Sequence, residues 1–263
     1  MANSGVVNAM SESIVPQAAS THPHALPPLE TSGAGHWGAL AFAAIFPTLG
    51  AWIYFIALSG QPWMQPAYAI TKGIQFGFPL LWVVVIQRAR PAWPLRSTKG
   101  VGIGLAFGLS IALLMVAGYA FALHDMAIMQ TLDDGVTAKV RDAQAATPGR
   151  FLALAIFYCL IHSLAEEYYW RWFVYGQMRR VMTLGWANLL SSVAFTSHHV
   201  LVVWSYLRND WWAVALLSLG VAVGGAFWAW LYERSNSLLG PWLSHLLLDA
   251  AIMTIGYWMI FGN

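Results

Sequence analysis

The chain has 263 residues, of which 59% are hydrophobic and 9% charged, and its mean hydropathy is +0.58. Soluble domains carry about 25% charged residues, so this composition excludes a soluble enzyme, a disordered chain and a nucleic-acid binder with a basic face. The net charge of +2 rests on too few groups to name a partner, the 15 Trp suit two lipid–water interfaces, and the single cysteine, Cys159, excludes an intrachain disulfide and a Cys-based zinc site.

Residues 1–36 are polar and contain Ser and Pro, and no Lys or Arg precedes Lys72, so they read as a disordered tail without the basic start of a signal peptide. His22 and His24 are too few and too flexible to suggest a metal site. A spanning helix needs about 20 mostly apolar residues. Residues 37–123 supply three such stretches, Trp37 to Leu58, Ala67 to Gln87 and Gly100 to Leu123. The second contains only Lys72, read as lying near one end where its stem snorkels to the interface. Residues 124–150 hold four Asp, one Lys and two Arg and form an extracytoplasmic connection, with a short surface helix expected at Val136 to Ala146. Residues 151–263 supply four more spans, Phe151 to Val174, Trp186 to Tyr206, Trp211 to Tyr232 and Leu238 to Phe261.

The predicted fold class is therefore all-α: a polytopic transmembrane helix bundle of about seven spans, with six to eight compatible with the pattern. Outer-membrane strands alternate polar and apolar residues over about 10 positions, whereas these runs are apolar on all sides and longer. Arg88, Arg90, Arg96 and Lys99, then Arg179 and Arg180, then Arg234, fall in loops on one side. The positive-inside rule makes that side cytoplasmic, with the N-terminus inside and the C-terminus outside. Short loops suggest a bacterial inner membrane. The lack of an internal repeat weighs against a transporter built from duplicated halves.

Ionisable groups inside spans are costly, which makes them functional candidates. The first cluster is Glu166-Glu167-Tyr168-Tyr169-Trp170-Arg171. Glu167 and Arg171 are four apart and form an ion pair on one helix face, a structural role that leaves Glu166 unexplained. His162 shares the face of Glu166. The second cluster, Phe195-Thr196-Ser197-His198-His199, carries adjacent histidines that point to different faces. In the third, His245 and Asp249 converge at i and i+4, just after Gly240-Pro241. Such a pair binds a metal, relays a proton, stabilises an anion or only braces the bundle. Together, Glu166, His199, His245 and Asp249 can face one cavity and activate a water.

Glu-Glu-x-x-x-Arg, then Phe-x-x-x-His, then His-x-x-x-Asp, on successive spans over about residues 151–253, resembles the CPBP family. Its members are type II CAAX prenyl endopeptidases and bacteriocin-processing (Abi) intramembrane proteases. The resemblance implies a metal-free, glutamate-type intramembrane endopeptidase. Glu166 would be the general base, polarising water with His199; His245 and Asp249 would stabilise the oxyanion; Glu167 and Arg171 would support the site. His198 ranks below His199 because it is not the motif histidine. The family carries Asn or Asp at the last position. An ionised carboxylate cannot donate to an oxyanion, so Asp249 is protonated, or it accepts the His245 ring hydrogen, or the site binds zinc through His199, His245, Asp249 and Glu166. The implied partners are the lipid bilayer and a membrane-associated protein or peptide substrate, lipidated or not, with no nucleic acid. The competing readings are a non-catalytic immunity or scaffold protein of the same fold and a proton-coupled transporter.

Overall fold

The computed structural model describes residues 33–91, 95, 97–208 and 210–262. Of the tail expected at 1–36, residues 1–32 lie outside these, as does Arg96. The described residues form eight helices: α1 (Ala34–Ala57), α2 (Met64–Ile86), α3 (Val101–Leu123), α4 (Ala127–Asp142), α5 (Pro148–Met178), α6 (Leu184–Tyr206), α7 (Trp211–Ser235) and α8 (Leu239–Phe261). Six of them, all but α4 and α6, are long and apolar enough to cross a membrane. The seventh expected span, α6, has 23 residues. Its Asn188, Ser191, Ser192, Thr196, Ser197, His198 and His199 dilute its hydropathy, while Trp186, Leu189 and Val193 keep an exposed apolar face. Those hydroxyls are absorbed locally: Thr196 Oγ1 donates to the Ser192 carbonyl at 2.8 Å and Ser197 Oγ to the Ala194 carbonyl at 2.8 Å. The surface helix is α4, which begins nine residues earlier than Val136 and ends at Asp142.

The helix ends follow local chemistry. Pro148 opens α5 at its first turn, where a missing N–H costs nothing. Asp210 caps α7, accepting from the Ala213 N–H at 3.0 Å. Asn236 ends α7 in the left-handed conformation, φ 51°.

The molecule is apolar outside. Phe121, Leu113 and Leu114 are 91%, 68% and 67% exposed, which in water would be an aggregation surface and in lipid is the expected face. α5 divides along its length. Leu152, Ile156, Leu160 and Ile161 face outward, whereas Tyr169 to Tyr175 are buried on every side. This second half is the axis of the bundle. Tyr169 Oη donates to the Ala43 carbonyl of α1 at 2.7 Å, and Phe173 packs edge-on against Phe78 of α2.

α3 and α8 touch through small residues, as membrane helices do. A Cβ on Gly104 would collide with the Gly240 carbonyl, and one on Gly108 would sit 2.9 Å from the Ser244 Cα. Nothing lies within 4 Å of the corresponding position on Gly102. Gly104→Ala is therefore expected to cost about 1–3 kcal/mol, read as a lowered melting midpoint in detergent, while Gly102→Ala leaves it unchanged.

The basic loops gather at one end of the bundle. Arg179, after α5, forks onto Glu233 at the end of α7 with N–O distances of 3.0–3.3 Å, and Tyr175 Oη donates to the same carboxylate at 2.8 Å. Gln87 and Gln177 exchange hydrogen bonds at 2.9 and 3.2 Å, and Ser237 Oγ donates to the Ser97 carbonyl at 2.5 Å. At the other end α4 docks on α6, with Gly135 against the Tyr206 backbone, and Lys139 donates to Ser59 Oγ at 3.2 Å.

Candidate active site

Glu166 lies in α5 on a short α-helical stretch, Ser163–Glu167, between two π-helical stretches, Phe157–His162 and Tyr168–Tyr175. Such insertions are rare and cluster at functional sites. They change the rotation per residue, so the two glutamates take directions that a regular helix would not give them. Both are buried, at 2% and 0% exposure.

Three imidazoles from three helices surround the Glu166 carboxylate. His198 Nε2 of α6 is 3.5 Å from Oε1, His162 Nε2 of α5 itself is 3.9 Å from Oε1, and His245 Nε2 of α8 is 3.8 Å from Oε2. None of these contacts is a short hydrogen bond. The carboxylate is ringed by nitrogens with room between them.

Glu167 does different work. Its Oε1 accepts from Arg171 Nη1 at 3.0 Å and from His245 Nδ1 at 2.8 Å. One oxygen thus ties α5 to α8, and the i, i+4 ion pair expected from spacing is present. Arg171 is 2% exposed and sandwiched, with Cζ 4.5 Å from the Phe195 ring centroid and 4.9 Å from that of Trp228. With Nδ1–H committed to Glu167, His245 presents Nε2 to Glu166 and to Asp249 Oδ1, 3.7 Å away. At that distance Asp249 does not accept the ring hydrogen that orients His245. Glu167 does that, because it approaches from a neighbouring helix in line with Nδ1, while the Asp249 side chain is confined to the turn above on the same helix.

The two histidines of α6 divide the same way. His199 bonds through Nδ1 to the Phe195 carbonyl at 3.0 Å. A carbonyl only accepts, so Nδ1 carries the hydrogen and Nε2 is left free. His198 is 3% exposed, and neither of its ring nitrogens meets a protein hydrogen-bond partner. Buried polar groups are normally satisfied; here Nε2 faces Glu166 Oε1. One nitrogen from each histidine and one Glu166 oxygen lie within 4.8 Å of one another. That compact trio differs from the expected zinc set of His199, His245, Asp249 and Glu166 by containing both neighbouring histidines.

Aromatic rings set the imidazole planes. Trp170 stacks parallel to His198 at 5.5 Å and 3°, and Trp228 stacks on His245 at 4.3 Å and 16°. Phe195 touches His198, His199 and His245. Phe195 opens the Phe-x-x-x-His motif, whereas neither Trp stands out in a chain with so many aromatics, and only the helix crossings select them. The cluster is not sealed. Asp249 and His162 side chains are 19% and 14% exposed, and His199 is half-buried.

Lys72 of α2 lies beside the same cluster. It is the ninth residue of α2, a helix of 23 residues. Its Nζ lies over the Phe76 ring at 5.4 Å, and that ring meets His162 edge-on at 6.3 Å.

Residues 148–251 match the family model described as Type II CAAX prenyl endopeptidase Rce1-like. The matched segment contains every residue of the cluster except Lys72. No curated protein and no solved structure matches the chain.

Proposed function

We propose that this chain, whose residues 148–251 form a domain of the Rce1-like type II CAAX prenyl endopeptidase family, is an intramembrane endopeptidase that uses Glu166 to activate water. The observation that carries this reading is the buried Glu166 carboxylate ringed by nitrogens of His162, His198 and His245 at 3.5–3.9 Å. In an apolar bundle such an assembly has no packing role that leucine would not serve better.

Water between Glu166 and His198 gives a proton to the Glu166 carboxylate and attacks the scissile carbonyl. His198, freed of other hydrogen bonds, orients that water together with Nε2 of His199. The developing oxyanion takes the Nε2–H of protonated His245, which Glu167 holds through Nδ1, and protonated Asp249 is the second donor. Glu166 then passes its proton to the leaving amine, completing hydrolysis with no change in the enzyme. Glu167 and Arg171 position His245 and do not touch the substrate.

A zinc-dependent variant of the reaction is supported by one observation, the Glu166, His198 and His199 trio with ligand atoms within 4.8 Å. Two imidazoles and a carboxylate with an open fourth position suit catalytic zinc, and the ion would supply Lewis acidity to the water. Treatment of the purified chain with 1,10-phenanthroline decides between the two. Full activity is expected; a loss restored by zinc and not by magnesium would favour the metal.

The basic end of the bundle is assigned to the cytoplasm and the membrane to a bacterial inner membrane, with the α1 end at Ala34 inside. The substrate is a membrane-associated protein or peptide. Comparing membrane-protein termini in cells carrying the active chain and the Glu166→Gln variant tests the whole reading. New termini are expected only with the active chain. Complementation of a deletion by the variant would instead establish a non-catalytic role.

A further inference from the structure

α2 brings Tyr68, Lys72, Gln75 and Phe76 onto one stripe, since residues three and four apart share a helix face. Lys72 Nζ donates to Gln75 Oε1 at 3.2 Å and lies 6.0 Å from the Tyr68 ring centroid. Among the described residues no carboxylate is in ion-pair range of it. Gln75 is 2% exposed; its oxygen is committed to Lys72, and its Nε2 has no hydrogen-bond partner. Two kinds of donor, one of them cationic, thus sit side by side within the membrane, the ammonium bonded only to a neutral amide oxygen and the amide Nε2 to nothing.

An intramembrane cation with no carboxylate in ion-pair range is expensive, and an amide donor left open adds to the cost. The position of the pair gives a reason for tolerating both. Phe76, which Lys72 overlies, reaches His162 and Tyr169 of α5 at 6.3 and 6.2 Å. His162 is the histidine beside Glu166, and Lys72 is near enough to Glu166 for their charges to interact. Lipid headgroups lie at the interfaces, about 12 Å from Lys72 along α2 on the nearer side at 1.5 Å per residue, so they do not fill the site. An apolar peptide entering beside Tyr68 and Phe76 carries an anion to that depth only as a carboxylate.

We infer that Lys72 and Gln75 form a subsite for a carboxylate of the peptide substrate, holding it beside Glu166. One carboxylate oxygen accepts from Lys72 Nζ and the other from Gln75 Nε2. This inference rests on the peptidase reading and adds to it a determinant outside the matched family segment. The carboxylate belongs either to the peptide C-terminus or to an acidic side chain near the scissile bond.

The test uses the full chain carrying Glu166→Gln in lipid nanodiscs, so that binding is read without turnover. The probe is a dansyl-labelled apolar tetrapeptide in three forms: free C-terminus, C-terminal amide, and C-terminal amide with Glu at the penultimate position. Energy transfer from the protein's Trp residues reports binding. At least one carboxylate form is expected to bind about tenfold or more tightly than the plain amide. A Lys72→Met change should abolish that preference, and Lys72→Arg should retain most of it. The affinity for the plain amide should be unchanged in both, which also reports an intact fold. Preference for the free terminus assigns the C-terminal carboxylate; preference for the Glu form assigns a side chain. The inference fails if no form binds, if neither carboxylate form is preferred, or if Lys72→Met weakens all three alike. Cleavage by the unmodified chain is scored separately. Cleavage without a carboxylate preference defeats only the subsite, and a preference in a chain that cleaves nothing defeats the peptidase reading.

Discussion

Glu166→Gln is expected to reduce cleavage by about 10²–10⁴-fold or more, the contribution of a positioned general base, with the melting midpoint in detergent changed little. The amide keeps the volume of the carboxylate and loses only its ability to take a proton. The surrounding contacts, at 3.5–3.9 Å, are too long for their loss to unfold the site. Single-turnover cleavage of a substrate found by the termini comparison, beside thermal melting of the same preparation, separates chemistry from folding. Retained turnover would move the base elsewhere, Asp249 being the other carboxylate near His245 Nε2. A collapse of the melting midpoint would make Glu166 a structural group.

Arg171→Met is expected to be the most destabilising single change at the site, by about 3–5 kcal/mol, because it strands a fully buried carboxylate. Glu167 is 0% exposed, and its Oε2 already has no partner. Without the guanidinium, only the His245 Nδ1–H would remain on Oε1. Arg171 also fills the space between Phe195 and Trp228, so the change removes packing with the charge. Adding Glu167→Gln should recover much of the stability, since a neutral amide tolerates the pocket, yet activity should stay low because His245 no longer has a carboxylate to hold it. Thermal melting and cleavage rates of the two single variants and the double variant form the cycle. Equal stability of the Arg171 variant and the unmodified chain would mean that the pair is solvated and contributes little.

The two variants divide a motif that reads as one unit. Adjacent glutamates point about 100° apart on a regular helix, so one serving the reaction and the other the scaffold is the natural outcome. Which does which depends on the neighbouring helices. Glu167 meets Arg171 by i, i+4 spacing alone, a local relation visible in sequence. Its bond to His245 spans 78 positions and required the packing of α8 on α5.

What was legible in the chain was whatever is local or additive. The all-helical membrane class follows from runs of apolar residues that leave too few charges to cover a soluble surface. The placement of basic residues in alternate loops follows from the same count. The polar clusters at 162–171, 195–199 and 245–249 stood out because charge is scarce between them. Only the tertiary structure decided how those groups face one another. Two π-helical stretches in α5, one on each side of Glu166 and Glu167, set how the pair is turned relative to the rest of the helix, and no apolar periodicity reports that. The crossing of α6 over α5 brings both His198 and His199 to Glu166, where ranking by motif had favoured His199. The crossing of α7 and α8 sets Trp228 over His245. Lys72 was legible as a lone charge but not as a neighbour of His162, because the depth of a residue in the membrane depends on where its helix starts and on what the adjacent helix presents at that level.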